Sequence, residues 1–303
     1  MNCLVIGYGS IGQRHTKILK ELGCRVAVLS QREIDFSPNY SSLSKALVQE
    51  KPAYIVVANE TSKHYATLTE IATYDFKGIV LVEKPLFHIP QEIPRNNFQQ
   101  GYVGYNLRFH PILQKLFKVI KEEAPLYAQI YVGQYLPNWR PKRDYRRSYS
   151  AKKNEGGGVL LDLSHELDYL RWFFDDWHSM VAMGGKYSSL QIDSEDLYNL
   201  MLVMKRCPIV QVHVNYLDRM HRREMMVITD NYTIKADLVQ QTLQINEELI
   251  KYNLDRDTTY FMQHKAIISG GSPNLCRFTE GLKVLEMINA AETSAKERKW
   301  INK

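Results

Sequence analysis

Short apolar segments alternate with segments of helical periodicity over the first third of the chain. Buried parallel strands read as continuous apolar runs, because helices cover both faces of such a sheet. Strands that alternate with helices therefore predict a doubly wound parallel sheet, the Rossmann arrangement, in this part of the chain. The predicted strands cover 3–6, 25–30, 53–58, 78–85 and 101–106, and the predicted helices cover about 11–22, 41–49 and 63–72.

The pattern changes after about residue 107, where strand-like segments follow one another. Several of them alternate apolar and polar residues, which is typical of an antiparallel sheet with one face in water. They cover 126–135, 196–205, 209–217, 223–229 and 232–238, and helical spacing predicts two helices at about 160–174 and 277–297. The sequence thus predicts an α/β protein with a Rossmann domain over 1–106. A C-terminal α+β domain with an open, mostly antiparallel sheet follows over 107–303.

Composition narrows the class of protein. The chain has 303 residues, of which 45% are hydrophobic, and this is enough for two folded domains with sizeable cores. Its four cysteines lack C-x-x-C spacing, which predicts reduced thiols and not disulfides or zinc ligands. The N-terminus lacks the basic segment of a signal peptide, and no apolar run reaches the roughly 18 residues of a membrane span. We therefore expect a cytoplasmic protein with no membrane partner.

The net charge of +6 is concentrated in one segment of the chain. Between Trp139 and Lys153 lie seven basic residues and one acidic residue, so the remainder of the chain is balanced. A basic segment of this kind suits a nucleic acid or a small anion. No recognisable nucleic-acid module accompanies it, so the sequence favours a small anionic ligand and no nucleic acid.

An early segment, LVIGYGSIGQRH, carries glycines in the G-x-G-x-x-G spacing. Gly7 permits a tight turn, Gly9 lets the backbone approach a pyrophosphate, and Gly12 allows close packing of a helix on the sheet. The N–H groups at the start of the helix, at Ser10 and Ile11, are expected to bind phosphate. Because a strand precedes this motif and a helix follows it, the segment predicts a dinucleotide-binding site.

The end of the second strand bears on the choice of cofactor. NAD sites usually carry Asp or Glu at this position, where the carboxylate bonds the ribose hydroxyls. This strand instead runs into Ser30, Gln31 and Arg32, and no acid follows before Glu33. A hydroxyl and a guanidinium suit a 2′-phosphate, so the sequence favours NADP(H). If Arg32 points to solvent, NAD(H) is accepted as well.

Four further segments occur in an order that resembles one known family. They are VVANETSKHYATL (56–68), VLVEKP (80–85), GYNLRFHP (104–111) and GGGVLLDLSHELDYLRW (156–172). This series, with a C-terminal helix, resembles the glucose–fructose oxidoreductase/inositol dehydrogenase (Gfo/Idh/MocA) family over almost the whole chain. The resemblance implies a Rossmann domain and a domain with an open antiparallel sheet, which often joins two or four copies. It also implies hydride transfer between a nicotinamide and a carbinol carbon, usually of a sugar or cyclitol.

The resemblance implies roles for individual residues of the first domain. Lys84 of the E-K-P motif is expected to contact the reacting hydroxyl and to border the cofactor. Glu83 is expected near the nicotinamide ribose, followed by Pro85, whose preceding bond is a candidate cis bond. The first of the four segments is expected to add Asn59 and His64 to the cofactor site.

The second motif departs from the usual family spacing. The resemblance makes His165 the acid/base and assigns Asp162 to the same site. The family places this His four residues after the Asp, whereas here the interval is three residues. An alignment on His165 and Asp168 keeps the His and moves the Asp, and Glu166 beside the His adds a further acid. Both spacings put the side chains on one helical face, so a site is retained either way.

The chemistry of alcohol oxidation agrees with these residue types. A proton must leave oxygen while hydride leaves carbon, and histidine titrates near the working pH. A lysine beside the hydroxyl polarises it and stabilises the developing alkoxide. Lys84 comes at the carboxyl end of a predicted parallel strand, where doubly wound sheets bind their ligands. Lys84, His165 and Asp162 are therefore the predicted catalytic residues.

The segment YLPNWRPKRDYRRSYSAKKNEGGG, ahead of the second motif, mixes aromatic and basic residues. It resembles a loop of a family subgroup linked with bacterial surface-sugar biosynthesis. Aromatic rings stack on sugars or bases, and arginine binds phosphate or carboxylate with two hydrogen bonds. We interpret the segment as a substrate lid for an anionic or nucleotide-linked sugar, and the alternative is a solvated loop. The predicted substrate contacts are Tyr105, Arg108, Trp139, Arg140, Tyr145, Arg146 and His165.

The leading hypothesis is an NAD(P)-dependent sugar dehydrogenase or reductase that forms homodimers or homotetramers through the C-terminal sheet. The alternative is a non-catalytic regulator of the same fold that binds a nicotinamide dinucleotide. The presence of both Lys84 and His165 favours the enzyme. A nucleic-acid surface on the basic segment is a third and weaker interpretation. His213 is interpreted as a sheet residue, and no cluster has metal-ligand spacing, so no metal is predicted.

Overall fold

The computed structural model describes residues 1–303. Its strands, in chain order, are β1 (Asn2–Ile6), β2 (Arg25–Leu29), β3 (Asn39–Tyr40), β4 (Tyr54–Val57), β5 (Ile79–Val82), β6 (Gln100–Val103), β7 (Tyr127–Gly133), β8 (Trp177–Gly185), β9 (Leu197–Met204), β10 (Cys207–Asn215), β11 (Arg222–Ile228), β12 (Thr233–Asp237), β13 (Thr242–Ile245), β14 (Glu248–Lys251), β15 (Cys276–Arg277) and β16 (Ile301–Asn302). Its α-helices are α1 (Ser10–Glu21), α2 (Leu43–Glu50), α3 (His64–Thr73), α4 (Pro111–Lys121), α5 (Val159–Asp162), α6 (His165–Phe174), α7 (Thr258–Ile268) and α8 (Phe278–Glu297). No helix has both the length and the apolar character needed to cross a membrane.

The chain forms two compact units, and each is made of two stretches of sequence. The first unit comprises Met1–Phe109 and Asp255–Lys283, and the second comprises His110–Leu254 and Val284–Lys303. The division predicted from the sequence, 1–106 and 107–303, differs from this in the placement of the stretch from Asp255. That stretch contains α7 and β15, and it packs with the first unit because Ile267 and Leu275 belong to the first unit's apolar core.

The first unit contains a seven-stranded sheet in the order β15-β6-β5-β4-β1-β2-β3. All neighbouring strands are parallel except β15, which pairs antiparallel with β6. The central strands β1 and β4 carry continuous apolar residues and are almost wholly buried. This burial on both faces explains their apolar runs and agrees with the Rossmann arrangement expected for this region.

The second unit contains a nine-stranded sheet in the order β14-β13-β12-β11-β7-β10-β9-β8-β16. Its neighbours are antiparallel except for β7 and β10, which are parallel. Buried and more exposed residues alternate along β7 and β9, so one face of the sheet is buried and the other faces outward. The mostly antiparallel sheet is as predicted, and the connection at 218–224 between β10 and β11 is not a hairpin. Strand β7 lies between β10 and β11, so these two strands do not pair.

Several elements were not predicted from the sequence. The helix expected at 160–174 is two helices, α5 and α6, separated at Leu163 and Ser164. Helix α4 buries Ile112, Leu113 and Leu116 at helical spacing. Helix α7 was also missed, because its buried face carries polar residues and its apolar periodicity is therefore weak. The strands that the sequence did not predict are β3, β8, β13, β14, β15 and β16.

Candidate active site

The glycine turn follows β1, and the structure shows why two of its glycines are needed. Gly7 has a φ of +95°, and a Cβ there would lie 2.7 Å from the carbonyl oxygen of Ala58. A Cβ at Gly12 would lie 2.0 Å from the carbonyl oxygen of Gly7, so any side chain would push α1 away from the sheet. Gly9 differs from both, because no atom lies within 4 Å of its Cβ position. The space above Gly9 is therefore open to a ligand.

Helix α1 begins at Ser10, directly after this turn. Gly9 occupies the N-cap position, no side chain caps the helix, and no acidic residue lies in its first turn. No carboxylate of this first turn therefore competes for the backbone N–H groups at Ser10 and Ile11, and an anion is favoured at such a helix end. A pyrophosphate fits both this helix end and the open space above Gly9.

The residues after β4 border the same edge of the sheet. Asn59 donates from its Nδ2 to Thr67 Oγ1 at 2.8 Å, whereas its Oδ1 is buried and has no hydrogen-bond partner. An unpartnered buried oxygen is costly unless a ligand donates to it, so Asn59 also fits a bound cofactor. His64 is buried, and its ring nitrogens contact the carbonyl oxygens of Pro85 at 3.0 Å and Asn59 at 3.3 Å. His64 therefore joins the two chain segments that border the site.

At the end of β2, Ser30 is buried and Arg32 is exposed. The backbone N–H of Arg32 donates to Ser30 Oγ at 3.2 Å. Burial raises the pKa of Glu60, but hydrogen bonds from its own backbone and from Lys63, together with the charge of Arg32, hold that pKa below its ordinary value. The guanidinium of Arg32 thus acts on a carboxylate that follows β4.

The E-K-P motif follows β5, next to β4 in the sheet. Glu83 is buried, and its Oε2 accepts from the backbone N–H of Lys84 at 3.2 Å. The peptide bond between Lys84 and Pro85 is cis. Burial raises the pKa of Glu83, but a hydrogen bond from His15 and the charge of Lys84 act against it, and the pKa lies below its ordinary value. Glu83 is therefore an ionised carboxylate directly before Lys84.

Sequence reasoning missed three residues that contact this motif, directly or in series. His15 on α1 bonds Glu83, His264 on α7 bonds His15, and Tyr54 on β4 bonds His264. His15 stands three residues after Gly12, on the buried side of α1, and this spacing was the signal available in the sequence. His264 and Tyr54 offered no such signal.

In the second unit, Asp162 ends α5 and His165 begins α6. Both are buried. The Tyr216 hydroxyl donates to Asp162 Oδ2 at 2.6 Å. Burial raises the pKa of Tyr149 well above its ordinary value, and the charge and hydrogen bond of Asp162 raise it further. Two tyrosine hydroxyls therefore hold the Asp162 carboxylate, and neither had been assigned to the site.

The two acids beside His165 in the sequence are buried on α6. Glu166 accepts two hydrogen bonds from Arg223, with Nε to Oε1 at 2.8 Å and Nη2 to Oε2 at 3.0 Å. The Tyr169 hydroxyl also donates to Glu166 Oε1, at 3.2 Å. Glu166 is thus occupied by an internal ion pair, and Asp168 is almost fully buried.

The basic segment divides into residues near Asp162 and residues paired with one another. Trp139 donates from its ring nitrogen to the Gln134 carbonyl at 3.1 Å, and its ring meets that of Tyr216 edge-on. Arg140 is exposed, and its charge acts on Tyr149. Trp139 and Arg140 therefore lie beside the tyrosines that bond Asp162.

Four other predicted substrate contacts are buried or have hydrogen-bond partners within the chain. Arg146 bonds Asp144 at 2.8 Å and Gln191 at 3.0 Å, and the Tyr145 hydroxyl accepts from the Gln191 backbone at 3.2 Å. Tyr105 and Arg108 are buried, and Arg108 pairs with Glu280 at 2.8 Å. Their side chains were expected to contact the substrate, because the sequence does not reveal these partners. His213, expected to be a sheet residue, stacks on Tyr131 within the second sheet.

Models of one protein family match both parts of the chain. The model described as the GFO/IDH/MocA oxidoreductase family with an NAD-binding Rossmann fold matches residues 1–96. The model described as the GFO/IDH/MocA C-terminal domain matches residues 124–235. No curated protein matches the chain in sequence.

Solved structures share the fold over the whole chain. The WlbA dehydrogenase from Bordetella pertussis, in complex with NADH and UDP-GlcNAcA, is 18% identical with a TM-score of 0.79, and the match covers 100% of this chain and 98% of that one. A levoglucosan dehydrogenase in complex with NADH is 16% identical with a TM-score of 0.84, covering 100% and 98%. GenD2 from gentamicin A biosynthesis, in complex with NAD, is 17% identical with a TM-score of 0.80, covering 100% and 96%.

These neighbours contain NADH or NAD, so they give no support to the preference for NADP(H) expected from Ser30 and Arg32. The glycine turn, the open helix end and the two matching models agree with one another. The chain belongs to the Gfo/Idh/MocA family and is an NAD-dependent oxidoreductase.

Proposed function

We propose that this protein transfers hydride between a nicotinamide and the carbinol carbon of a sugar, with an anionic or nucleotide-linked sugar as substrate. One observation carries the proposal. Lys84 follows an ionised, buried Glu83 at the carboxyl end of β5, on the sheet edge where the glycine turn follows β1. Doubly wound sheets bind their ligands at this edge.

The proposed mechanism gives Lys84 and His165 different roles. The nicotinamide, when bound, exchanges hydride with the substrate carbon. Lys84 donates a hydrogen bond to the reacting oxygen and stabilises its negative charge. His165 accepts the proton from that oxygen during oxidation and returns it during reduction. Asp162, held by Tyr216, supplies a fixed negative charge that favours the protonated imidazole.

The negative charge proposed for the substrate rests on the basic segment. Arg140, Lys142, Arg143 and Arg147 are exposed there, and Trp139 and Arg140 border the tyrosines around Asp162. Arginine binds phosphate and carboxylate oxygens in pairs, and an aromatic ring stacks on a sugar or a base. We assign substrate contact to Trp139 and Arg140. Tyr105, Arg108, Tyr145 and Arg146 have the internal partners or burial described above, so their proposed contribution is to support the site.

Arg32 is the residue that bears on the choice between NADP(H) and NAD(H). Its exposed guanidinium suits the 2′-phosphate of NADP(H), whereas the solved neighbours contain NAD(H). If NADP(H) is preferred, Arg32→Ala should raise the KM for NADP⁺ about tenfold, the effect of losing one charged hydrogen bond, and leave the KM for NAD⁺ unchanged. Equal KM values for the two cofactors before and after the change would reject the preference.

We further propose that copies associate through the outer face of the nine-stranded sheet. Met183, Met201 and Ile209 share that face, with 75%, 47% and 49% of their surface exposed. Exposed apolar residues grouped on one sheet face are typical of protein interfaces. The four cysteines are free and buried, which supports function in a reducing compartment such as the cytoplasm.

The test measures reduced nicotinamide by absorbance. Purified protein is mixed with NAD⁺ or NADP⁺ and a panel of neutral sugars, acidic sugars and nucleotide sugars, and cofactor binding is measured separately by fluorescence. Activity should appear with the acidic or nucleotide-linked members and be lost in Lys84→Ala. Lys77→Ala is the matched control, because Lys77 is an exposed lysine of the same unit that pairs only with Asp75. Cofactor binding without turnover on any substrate would favour the regulatory alternative.

A further inference from the structure

Four buried side chains form a continuous hydrogen-bonded chain inside the first unit. The Tyr54 hydroxyl lies 2.9 Å from His264 Nδ1, and His264 Nε2 lies 2.7 Å from His15 Nδ1. His15 Nε2 lies 2.8 Å from Glu83 Oε1. The exposed fraction is 0% for Tyr54, His264 and His15, and 8% for Glu83. This hydrogen-bonded chain therefore runs from Tyr54, in the interior of the first unit, to Glu83, the residue that precedes Lys84.

The protons in this chain have one consistent order. Glu83 is ionised, so His15 Nε2 must carry the proton that it shares with the carboxylate. The Tyr54 hydroxyl donates to His264 Nδ1. If His264 donated instead, the proton of the buried Tyr54 hydroxyl would have to point away from His264. His264 Nε2 then carries a proton and donates to His15 Nδ1. Burial lowers the pKa of His264 well below its ordinary value, which agrees with a neutral ring.

All three donors therefore point toward Glu83. Aligned hydrogen bonds polarise one another, and each one stabilises the negative charge at the end of the chain. Tyr54 has no exposed surface, so the far end of the chain does not reach solvent and cannot conduct a proton there. The hydrogen-bonded chain therefore holds the Glu83 carboxylate in its charged form and does not carry a proton to solvent. Glu83 Oε2 meanwhile accepts from the Lys84 backbone at 3.2 Å, which ties the fixed carboxylate to the lysine.

We propose that His15 and His264 are positioning residues, which hold an ionised Glu83 carboxylate in place and thereby keep the Lys84 ammonium charged. A carboxylate next to an amine favours the protonated amine. A charged Lys84 is the form that stabilises an alkoxide. The proposal rests on the proposed function only for what Lys84 does to a substrate, since the chain itself is a property of the folded protein.

Three other titratable groups also interact with the charge of Glu83. Lys84 lowers the pKa of Glu83 directly. His64, on α3, is buried with a pKa lowered chiefly by that burial, and Glu83 acts against this shift. Tyr54 is the remaining titratable group whose ionisation Glu83 opposes. His64 and Tyr54 are therefore uncharged, and His15 and Lys84 are the groups that bond or balance the carboxylate.

The first experiment uses the unaltered protein and needs no cofactor. Two-dimensional nitrogen NMR of the histidine rings reports which ring nitrogen carries the proton. We expect both His15 and His264 to carry a proton at Nε2 and none at Nδ1. Protonation of either ring at Nδ1 would overturn the proposed order and, with it, the charge on Glu83 that the order supports.

The second experiment measures the pKa of Lys84 by carbon NMR of labelled lysine, with the signal identified by its loss in Lys84→Arg. His264→Phe keeps a ring but removes both nitrogens, and Glu83→Gln removes the charge. We expect each change to lower the pKa of Lys84 by about one unit, the scale of one neighbouring charge. The two changes together should have no more effect than Glu83→Gln alone, because His264 acts through Glu83.

The matched control is Ile267→Val, which perturbs packing on the same helix without touching the chain. An unchanged Lys84 pKa in His264→Phe, or an equal fall in Ile267→Val, would contradict the proposal. If His264→Phe does not fold, His264→Gln replaces it. The nitrogen NMR of the histidine rings in the unaltered protein tests the proposed proton order without any variant. Neither readout requires turnover. A fall in the Lys84 pKa without hydride transfer on any substrate would count against the proposed function alone.

Discussion

Replacing Gly9 by alanine separates the role of the glycine turn in folding from its role in binding. Gly9 has φ of −75° and ψ of −172°, a conformation that alanine adopts without strain. No atom lies within 4 Å of the added methyl group. Alanine is a poorer N-cap than glycine by up to about 1 kcal/mol, and its lower unfolded-state entropy returns about 0.4–1 kcal/mol. The free energy of unfolding should therefore change by less than about 1 kcal/mol.

Cofactor binding should respond differently. The methyl group of Gly9→Ala occupies the open space that a pyrophosphate must enter to reach the helix N-terminus. Displacing the phosphates from this position should raise the Kd for NAD(H) about 10- to 100-fold, or roughly 1.4–2.8 kcal/mol. The expected signature is therefore loss of binding with stability retained.

Gly12→Ala is the matched comparison. Its Cβ would lie 2.0 Å from the Gly7 carbonyl oxygen, and real Cβ contacts are essentially never shorter than 3.0 Å. Helix α1 must therefore move by about 1 Å, an overpacking that costs about 1–3 kcal/mol or more. This variant should lose stability and binding together.

The assay combines urea unfolding, followed by circular dichroism, with a fluorescence titration of NADH. A Gly9→Ala variant that binds NADH as tightly as the unaltered protein would refute the placement of the pyrophosphate over Gly9. A Gly12→Ala variant of unchanged stability would refute the packing argument.

Three further predictions concern the second unit. Burial, and then the charge of Arg223, lower the pKa of His110 from 6.5 to about 4, so the neutral form stabilises the fold above pH 6.5 and this contribution is lost as the pH falls toward 4. Urea unfolding should show about 2 kcal/mol less stability from this group at pH 5 than at pH 7. Arg223→Met leaves the Glu166 charge buried without its cation and should lower the free energy of unfolding by about 3–5 kcal/mol, measured in the same way. Met201→Glu places a charge on the outer sheet face and should reduce the mass measured by light scattering to that of a monomer.

A control variant tests each of these three predictions. His110→Phe should lack the part of the pH dependence assigned to His110, and an unchanged profile would remove the assignment. Adding Glu166→Leu to Arg223→Met should recover stability, because no buried charge remains. Glu21→Lys, on a helix of the first unit, is the surface control for Met201→Glu and should leave the mass unchanged. A mass unaffected by Met201→Glu would show that this face does not join copies.

The fold was predictable where burial leaves a mark on the sequence. Strands β1 and β4 are buried on both faces, so their apolar runs stand out, and helices between them complete the pattern. Helix α7 left no such mark, because Thr259, Gln263 and His264 lie on its buried side. Their partners come from distant parts of the chain, and polar burial of this kind is visible only once those partners are in place.

The candidate site was predictable where one short segment supplies several of its parts. The glycine turn and the E-K-P motif each bring backbone and side chains together locally. Tyr216 was missed because it stands 54 residues from Asp162, and His264 was missed because it stands 210 residues from Tyr54. Arg108 was expected to contact the substrate, because its partner Glu280 stands 172 residues away and the sequence does not reveal the pair.

Each unit is made of two separate stretches of sequence, and this affects both folding during translation and the design of fragments. The first unit receives α7 and β15 from the stretch Asp255–Lys283, long after its first six strands have been made. Until then β6 is an open edge strand, which is prone to pair with other chains, and the core lacks Ile267 and Leu275. The nucleotide-binding unit therefore matures late on the ribosome, although its sequence begins the chain. A fragment cut after Phe109 would carry the glycine turn but lack α7, whose His264 bonds His15.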